Sequence, residues 1–193
     1  MQGMRVLLTA IGGLALLGAP HASAEKPSVT TETYGNWTYR CAQITNPSDQ
    51  VETPAAATGE TPTKPEASTT MVCETSQVLQ DADRNVIAQI AFGNVPATPG
   101  KLVVVFQVPQ GTLLSSPVRF GTEGLKDSLE AEYVTCYQQI CLARAEVETE
   151  IIRKFGQSEN GTLEFADRSG RKISVLLSFE GMTAANERLI SGN

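Results

Sequence analysis

Four cysteines, Cys41, Cys73, Cys136 and Cys141, constrain this chain more than any other feature, because what they can become depends on the compartment the chain enters. The N-terminus speaks to that. Arg5 precedes an apolar stretch from Val6 to Gly18 interrupted only by Thr9, and Pro20 leads into Ala22-Ser23-Ala24. A basic start, an apolar middle and a small-residue end are the three parts of a secretory signal peptide. The apolar part is shorter than the roughly 20 residues that a membrane span requires. Residues 1–24 are therefore expected to be a signal peptide, cleaved between Ala24 and Glu25, with no transmembrane segment in the mature chain. Export permits disulfides, and an even number of cysteines suits a cross-linked framework.

Three pairings are open from sequence alone. The expected one joins Cys41 to Cys73 and Cys136 to Cys141, because each pair lies in segments expected to be neighbours. On chain-entropy grounds the longer closure would contribute about 3–4 kcal/mol and the shorter about 2 kcal/mol. Redox catalysis fits less well, since oxidoreductases place Cys-x-x-Cys at a helix start. No cysteine directly follows the cleavage site, which argues against a lipid anchor.

Removing 24 of the 193 residues leaves 169 and takes away His21, the only histidine. Ser-His-Asp and Cys-His catalysis, imidazole ligation of a metal and a histidine pH switch all need a side chain that the mature chain lacks. No cofactor or metal site is expected. Arg5 leaves with the leader, so 14 of the 15 basic residues face all 21 acidic ones, a net charge of −7. That balance disfavours a nucleic-acid partner, whose binding rests on basic patches.

The ordered part reads as strands. Trp37, Tyr39 and Cys41 alternate with Asn36, Thr38 and Arg40, the signature of a half-buried strand. Met71 to Gln80 and Val86 to Phe92 flank the polar run Asp81-Ala82-Asp83-Arg84-Asn85, a hairpin connection. That run lacks the glycine and distal glutamate of a calcium loop. Leu102 to Phe106 is continuously apolar with three valines in the middle, which predicts a central strand covered on both faces. Val118 to Gly121, Tyr133 to Tyr137, Ile140 to Val147, Thr162 to Ala166 and Lys172 to Phe179 are further strands, and Ile173, Val175, Leu177 and Phe179 share one face. Glu148 to Phe155 has Ile151, Ile152 and Phe155 at helical spacing. A second short helix is expected with Thr183 as its cap, Ala185 and Leu189 inward and Gly192 at its stop. Between Asn46 and Thr69 the chain is rich in Pro, Thr, Ala and Glu, a composition that cannot bury enough apolar surface to order itself. The fold class is thus mainly β, a two-sheet β-sandwich with one or two short helices.

Sharper chemical readings give way to plainer ones. Ser169-Gly170-Arg171-Lys172 matches Ser-x-x-Lys, but it sits in a polar turn and lacks the companion motifs of that enzyme class. Glu146, Glu148 and Glu150 are spaced as if sharing a face, and a solvated edge that prevents aggregation is the simpler account. Trp37 reads as core, packed on a disulfide as in immunoglobulin-like domains.

The order of motifs carries a resemblance. Tyr34-Gly35-Asn36-Trp37 with Arg40-Cys41, then Cys73-Glu74, Val86 to Gly93, Gln107-Val108-Pro109 to Leu114, Cys136 to Cys141-Leu142-Ala143, and Phe179-Glu180-Gly181-Met182-Thr183-Ala184-Ala185 resemble the invasion-associated locus B family of alphaproteobacterial exported proteins. The resemblance implies an immunoglobulin-like β-sandwich in the periplasm or outer envelope, and secretion beyond it is compatible with the same reading. It implies an N-terminal extension at 25–33 and a domain over 34–193 with a disordered insertion at 46–69, longer than is usual for the family. It carries no catalytic residues. The function expected is that of a non-catalytic envelope protein that binds an envelope or host-surface component, linked to host-cell invasion or envelope integrity. The alternative is a carboxylate-dependent hydrolase of envelope glycans using Glu146 to Glu150.

Overall fold

The computed structural model describes residues 29–45, 69–94 and 100–192. The expected signal peptide, its cleavage at Ala24 and Glu25, and the expected insertion up to residue 68 lie outside the described residues. The first part of the chain forms β1 (Val29–Tyr34), β2 (Trp37–Thr45), β3 (Thr69–Gln80), β4 (Val86–Asn94) and β5 (Lys101–Pro109). There follow β6 (Val118–Thr122), a single 3₁₀ turn at Glu123–Leu125, β7 (Ser128–Tyr137) and β8 (Ile140–Glu148). Helix α1 (Thr149–Phe155), β9 (Asn160–Ala166), β10 (Lys172–Ser178) and α2 (Met182–Ser191) complete the order. The first strand starts at Val29, so residues 29–33 of the expected extension are in fact paired with β2.

All pairings are antiparallel, in the spatial order β1-β2-β3-β4-β5-β8-β7-β6-β9-β10. Strand β7 turns this ribbon into a sandwich. Its first residues, Ser128 to Ala131, pair with β6, whereas the stretch from Glu132 to Tyr137 pairs with β8, with an irregularity between Tyr133 and Thr135. Such an irregularity bends a strand and increases its twist. The first layer is therefore β1 to β5 with β8 and the end of β7, and the second is the start of β7 with β6, β9 and β10. The run β9-β6-β7-β8 is a Greek key, in which three hairpin-connected strands are joined by a fourth that returns beside the first.

The core lies between the layers. Trp37 and Tyr39 from β2, Ile90 and Phe92 from β4, and Leu102, Val104 and Phe106 from β5 meet Phe120 and Leu163 from the second layer, all essentially without exposure. Phe120 is the hub, with its ring 6.2 Å from Phe92, 5.5 Å from Phe106, 5.6 Å from Phe155 and 5.8 Å from Phe179. Helix α2 covers the part of the first layer beyond the reach of the second. Its Met182, Ala185 and Leu189 are buried, and its buried Asn186 accepts a hydrogen bond from Thr75 Oγ1 at 2.8 Å.

Three expectations about local packing are corrected here. Ile152 and Phe155 of α1 are buried, but Ile151 faces outward and is 40% exposed. Thr183 lies within α2 rather than capping it, and Gly181 holds the cap position. Finally, β5 is central, between β4 and β8, but only one of its faces is covered: Leu102, Val104, Phe106 and Val108 are buried, whereas Val103 and Val105 are half-buried.

Candidate interaction surface

The two disulfides join Cys41 to Cys73 and Cys136 to Cys141. In each case the partners are directly opposite on adjacent antiparallel strands, so strand register alone brings the sulfurs together. The first closes a separation of 32 residues and the second of five. Tyr39, not Trp37, packs on a disulfide: its hydroxyl stands 2.7 Å from Cys41 Sγ and donates toward Cys73 Sγ at 3.5 Å. Trp37 instead tilts against Phe92, with ring centres 5.6 Å apart, and donates its indole N–H to the Ser178 carbonyl at 3.1 Å.

Above Tyr39 lies a charged clamp. The Arg188 guanidinium sits 4.7 Å from the Tyr39 ring centre and grips Glu32 of β1 through its Nε and Nη2, at 3.1–3.2 Å. Tyr34 donates its hydroxyl to the same carboxylate at 2.6 Å. The hydrogen bonds from Arg188 and then Tyr34 hold the Glu32 carboxyl below its ordinary value of 4.5. A depressed carboxyl contributes its stability fully above the unfolded value and loses it as pH falls through the folded one. Replacing Glu32 with Gln is accordingly expected to lower the melting temperature at neutral pH, by a difference that shrinks as pH falls below the ordinary carboxyl value of 4.5. Melts across that range check this, and a difference that widens on the acid side would contradict it.

The motifs at the two ends of the described chain meet. Asn36 N–H donates to the Glu180 carbonyl at 3.1 Å, and Asn36 Nδ2 to the Glu180 carboxylate at 3.4 Å. Gly35 and Gly181 have φ of 56° and 86°, and a Cβ on Gly181 would overlap the Tyr34 carbonyl. The Tyr34-Gly35-Asn36-Trp37 and Glu180-Gly181-Met182 sequences thus form one clasp between the first layer and the corner leading to α2. Beside it, an open cleft of about 690 Å³ runs past Glu159, Asn160 and Thr183.

The candidate carboxylates do not converge. Glu146 and Glu148 point outward from β8, beside Arg144 at 4.0 Å and Lys101 at 3.3 Å, whereas Glu150 belongs to α1 and pairs with Arg153 at 2.7 Å. Ser169 lies in the β9–β10 turn, donating backbone and hydroxyl hydrogens to Asp167. Among the described residues no cluster of three His, Cys, Asp or Glu side chains is placed to hold a metal, and no helix is long and apolar enough to cross a membrane.

What the structure does present is the outer face of the first layer. Val105 lies opposite Ala91 on one side and Arg144 on the other, and Val103 lies opposite Gly93 and Glu146. One row further on, Val78, Gln89, Gln107 and Leu142 follow one another across four strands. Val72 and Val78 are 47% and 49% exposed. Val103, Val105, Ala91 and Gly93 make a small apolar centre, bounded by Glu74 and Ser76 of β3, by Arg144 and Glu146 of β8 and by Gln89 and Gln107 one row on. The alternation that marked its strands was readable, but its exposure was not, because a valine run carries no record of what covers it.

A family model described as invasion associated locus B (IalB) protein matches residues 58–189, more than half of the chain. The chain belongs to the invasion-associated locus B family. It is not a known enzyme family. Among solved structures, the chain is similar to a crystal structure of invasion associated protein B from Bartonella henselae. The TM-score is 0.61 with 19% identity, over 84% of this chain and 95% of that one. This likeness extends the sandwich fold across almost all of that family member. Among curated proteins, none matches the chain significantly.

Proposed function

We propose that this protein is an exported, non-catalytic interaction module of the cell envelope, and that it meets its partner through the outer face of the first layer. The observation that carries this reading is β5, whose sequence is apolar on both faces while only one face is buried. An antiparallel sheet commonly leaves one face to water with polar side chains on it, so Val103 and Val105 on that face are an excess of apolar surface, and apolar surface rimmed by polar groups is a feature of interaction sites. The two disulfides suit a non-cytoplasmic setting. The partner fits the class of envelope or host-surface component, in keeping with the invasion association named for the Bartonella protein. Under this reading residues 1–24 direct export to the periplasm or outer envelope.

The test is Val105→Glu in the oxidised chain. The new carboxylate lies opposite Arg144, a favourable cross-strand pair, so the fold is expected to persist. Capture of envelope or host-surface material by the immobilised protein should fall about tenfold, the size expected from losing one well-buried apolar contact. Undiminished capture by a variant with unchanged circular dichroism would sink the assignment of this face.

A further inference from the structure

Each disulfide has one cysteine in the core, and the two differ in how far the other cysteine is exposed, a contrast that points to chemistry at one of them. Cys136 is exposed, near the tip of the β7–β8 hairpin, while its partner Cys141 is only 2% exposed and lies in the core. Around Cys136 the side chains of Thr135, Val134 and Tyr137 are also outward, Val134 being 61% and Tyr137 51% exposed. Cys41 is 7% exposed, its partner Cys73 is half-buried, and the Tyr39 hydroxyl beneath Arg188 sits against both sulfurs.

We propose that Cys136–Cys141 is a thiol-exchange site, entered at Cys136, for a dithiol of the oxidoreductase class, while Cys41–Cys73 is a closed structural cross-link. A thiolate attacks a disulfide through a mixed-disulfide intermediate, and access decides which sulfur is struck. Here the incoming thiolate forms a bond to Cys136 Sγ. The bond to Cys141 breaks, and the proton lost by the attacking thiol is taken up by the Cys141 sulfur, so that no charge is left in the core. The second thiol of the dithiol then releases Cys136 and becomes oxidised, so two electrons pass to the protein. The hairpin does not depend on the bridge alone: Tyr137 pairs with Ile140, and Gln110 N–H donates to the Gln139 carbonyl at 2.9 Å. This site uses residues separate from the outer-face reading, so the two proposals fail independently.

The experiment treats the chain carrying both disulfides with graded dithiothreitol, and separately with reduced glutathione, then alkylates it and maps the peptides. Cys136 and Cys141 are expected to open at about tenfold less reductant than Cys41 and Cys73, as an exposed bond does relative to a protected one, with circular dichroism unchanged. Glutathione is expected on Cys136. Simultaneous opening, prior opening of Cys41–Cys73, resistance until the protein is denatured, or an adduct on Cys141 would each overturn the proposal.

Discussion

Truncating Phe120 to Ala is expected to destabilise the protein by about 3–5 kcal/mol, the range for deleting a buried aromatic ring. The ring is fully buried and touches Phe92 and Phe106 of the first layer, Phe155 of α1 and Phe179 at the corner before α2. Its removal opens a void that four elements share. These contacts come from both layers, from a helix and from a corner, so the void cannot be filled by the shift of any one element, which places the cost in the upper part of that range. Small domains are stable by only about 5–15 kcal/mol. The melting temperature should therefore fall by on the order of 10 °C, given roughly 2–4 °C per kcal/mol for a domain of this size. Leu176→Ala, at a side chain 61% exposed on β10, is the matched control and should stay within about 0.5 kcal/mol. Thermal or denaturant unfolding of both variants decides the matter, and equal losses would mean that Phe120 does not join the layers.

The second large effect is expected at Gly181, and its control is built into the chain. Gly181 and Gly170 have nearly the same φ, 86° and 83°. Placing an alanine in that left-handed region costs about 1–2 kcal/mol at either position. At Gly170 a Cβ meets nothing within 4 Å, so the backbone term is the whole of it. At Gly181 the Cβ collides with the backbone carbonyl of Tyr34, which has no rotamer by which to escape. The β1–β2 turn must lift from the corner, with loss of the Asn36 to Glu180 hydrogen bond. Overpacking of this kind adds roughly 1–3 kcal/mol. Gly181→Ala should thus be destabilised by about 2–5 kcal/mol, and more than Gly170→Ala, when both are unfolded in denaturant. Equal values would show that the clasp can open without cost.

The parts of this fold that sequence could reveal are those whose signal is local. The alternation of Trp37, Tyr39 and Cys41 assigned the inner face of β2, and Ile173, Val175, Leu177 and Phe179 assigned that of β10, because side-chain period depends on nothing but the strand itself. The Asp81–Asn85 connection was readable for the same reason: Asp81 accepts from the backbone N–H groups of Asp83 and Asn85 and organises the turn alone. What went unread was long-range. Both halves of the clasp were visible as glycine-bearing motifs, yet nothing at Gly35 announces Glu180. Tyr39 and Trp37 lie on the same face of β2, and it is Tyr39, two residues from Cys41, that reaches the disulfide, whereas Trp37 stands four residues away. The outer face of β5 shows the same limit: valine content fixes an appetite for burial, not whether the monomer satisfies it.

The clasp has a consequence for when the fold can be completed. Asn36 and Glu180 are 144 residues apart, and the Arg188 to Glu32 clamp spans 156. The earliest described strands are therefore sealed by the last described helix. A chain emerging from its N-terminus can pair β1 with β2 and β3 with β4 early, but the edge where Trp37 and Tyr39 are buried stays open until the C-terminal helix arrives. Contacts of such separation are closed late and slowly. The exposed interval ends only with α2, so loss of the last turn of α2 should be felt first at β1 and β2.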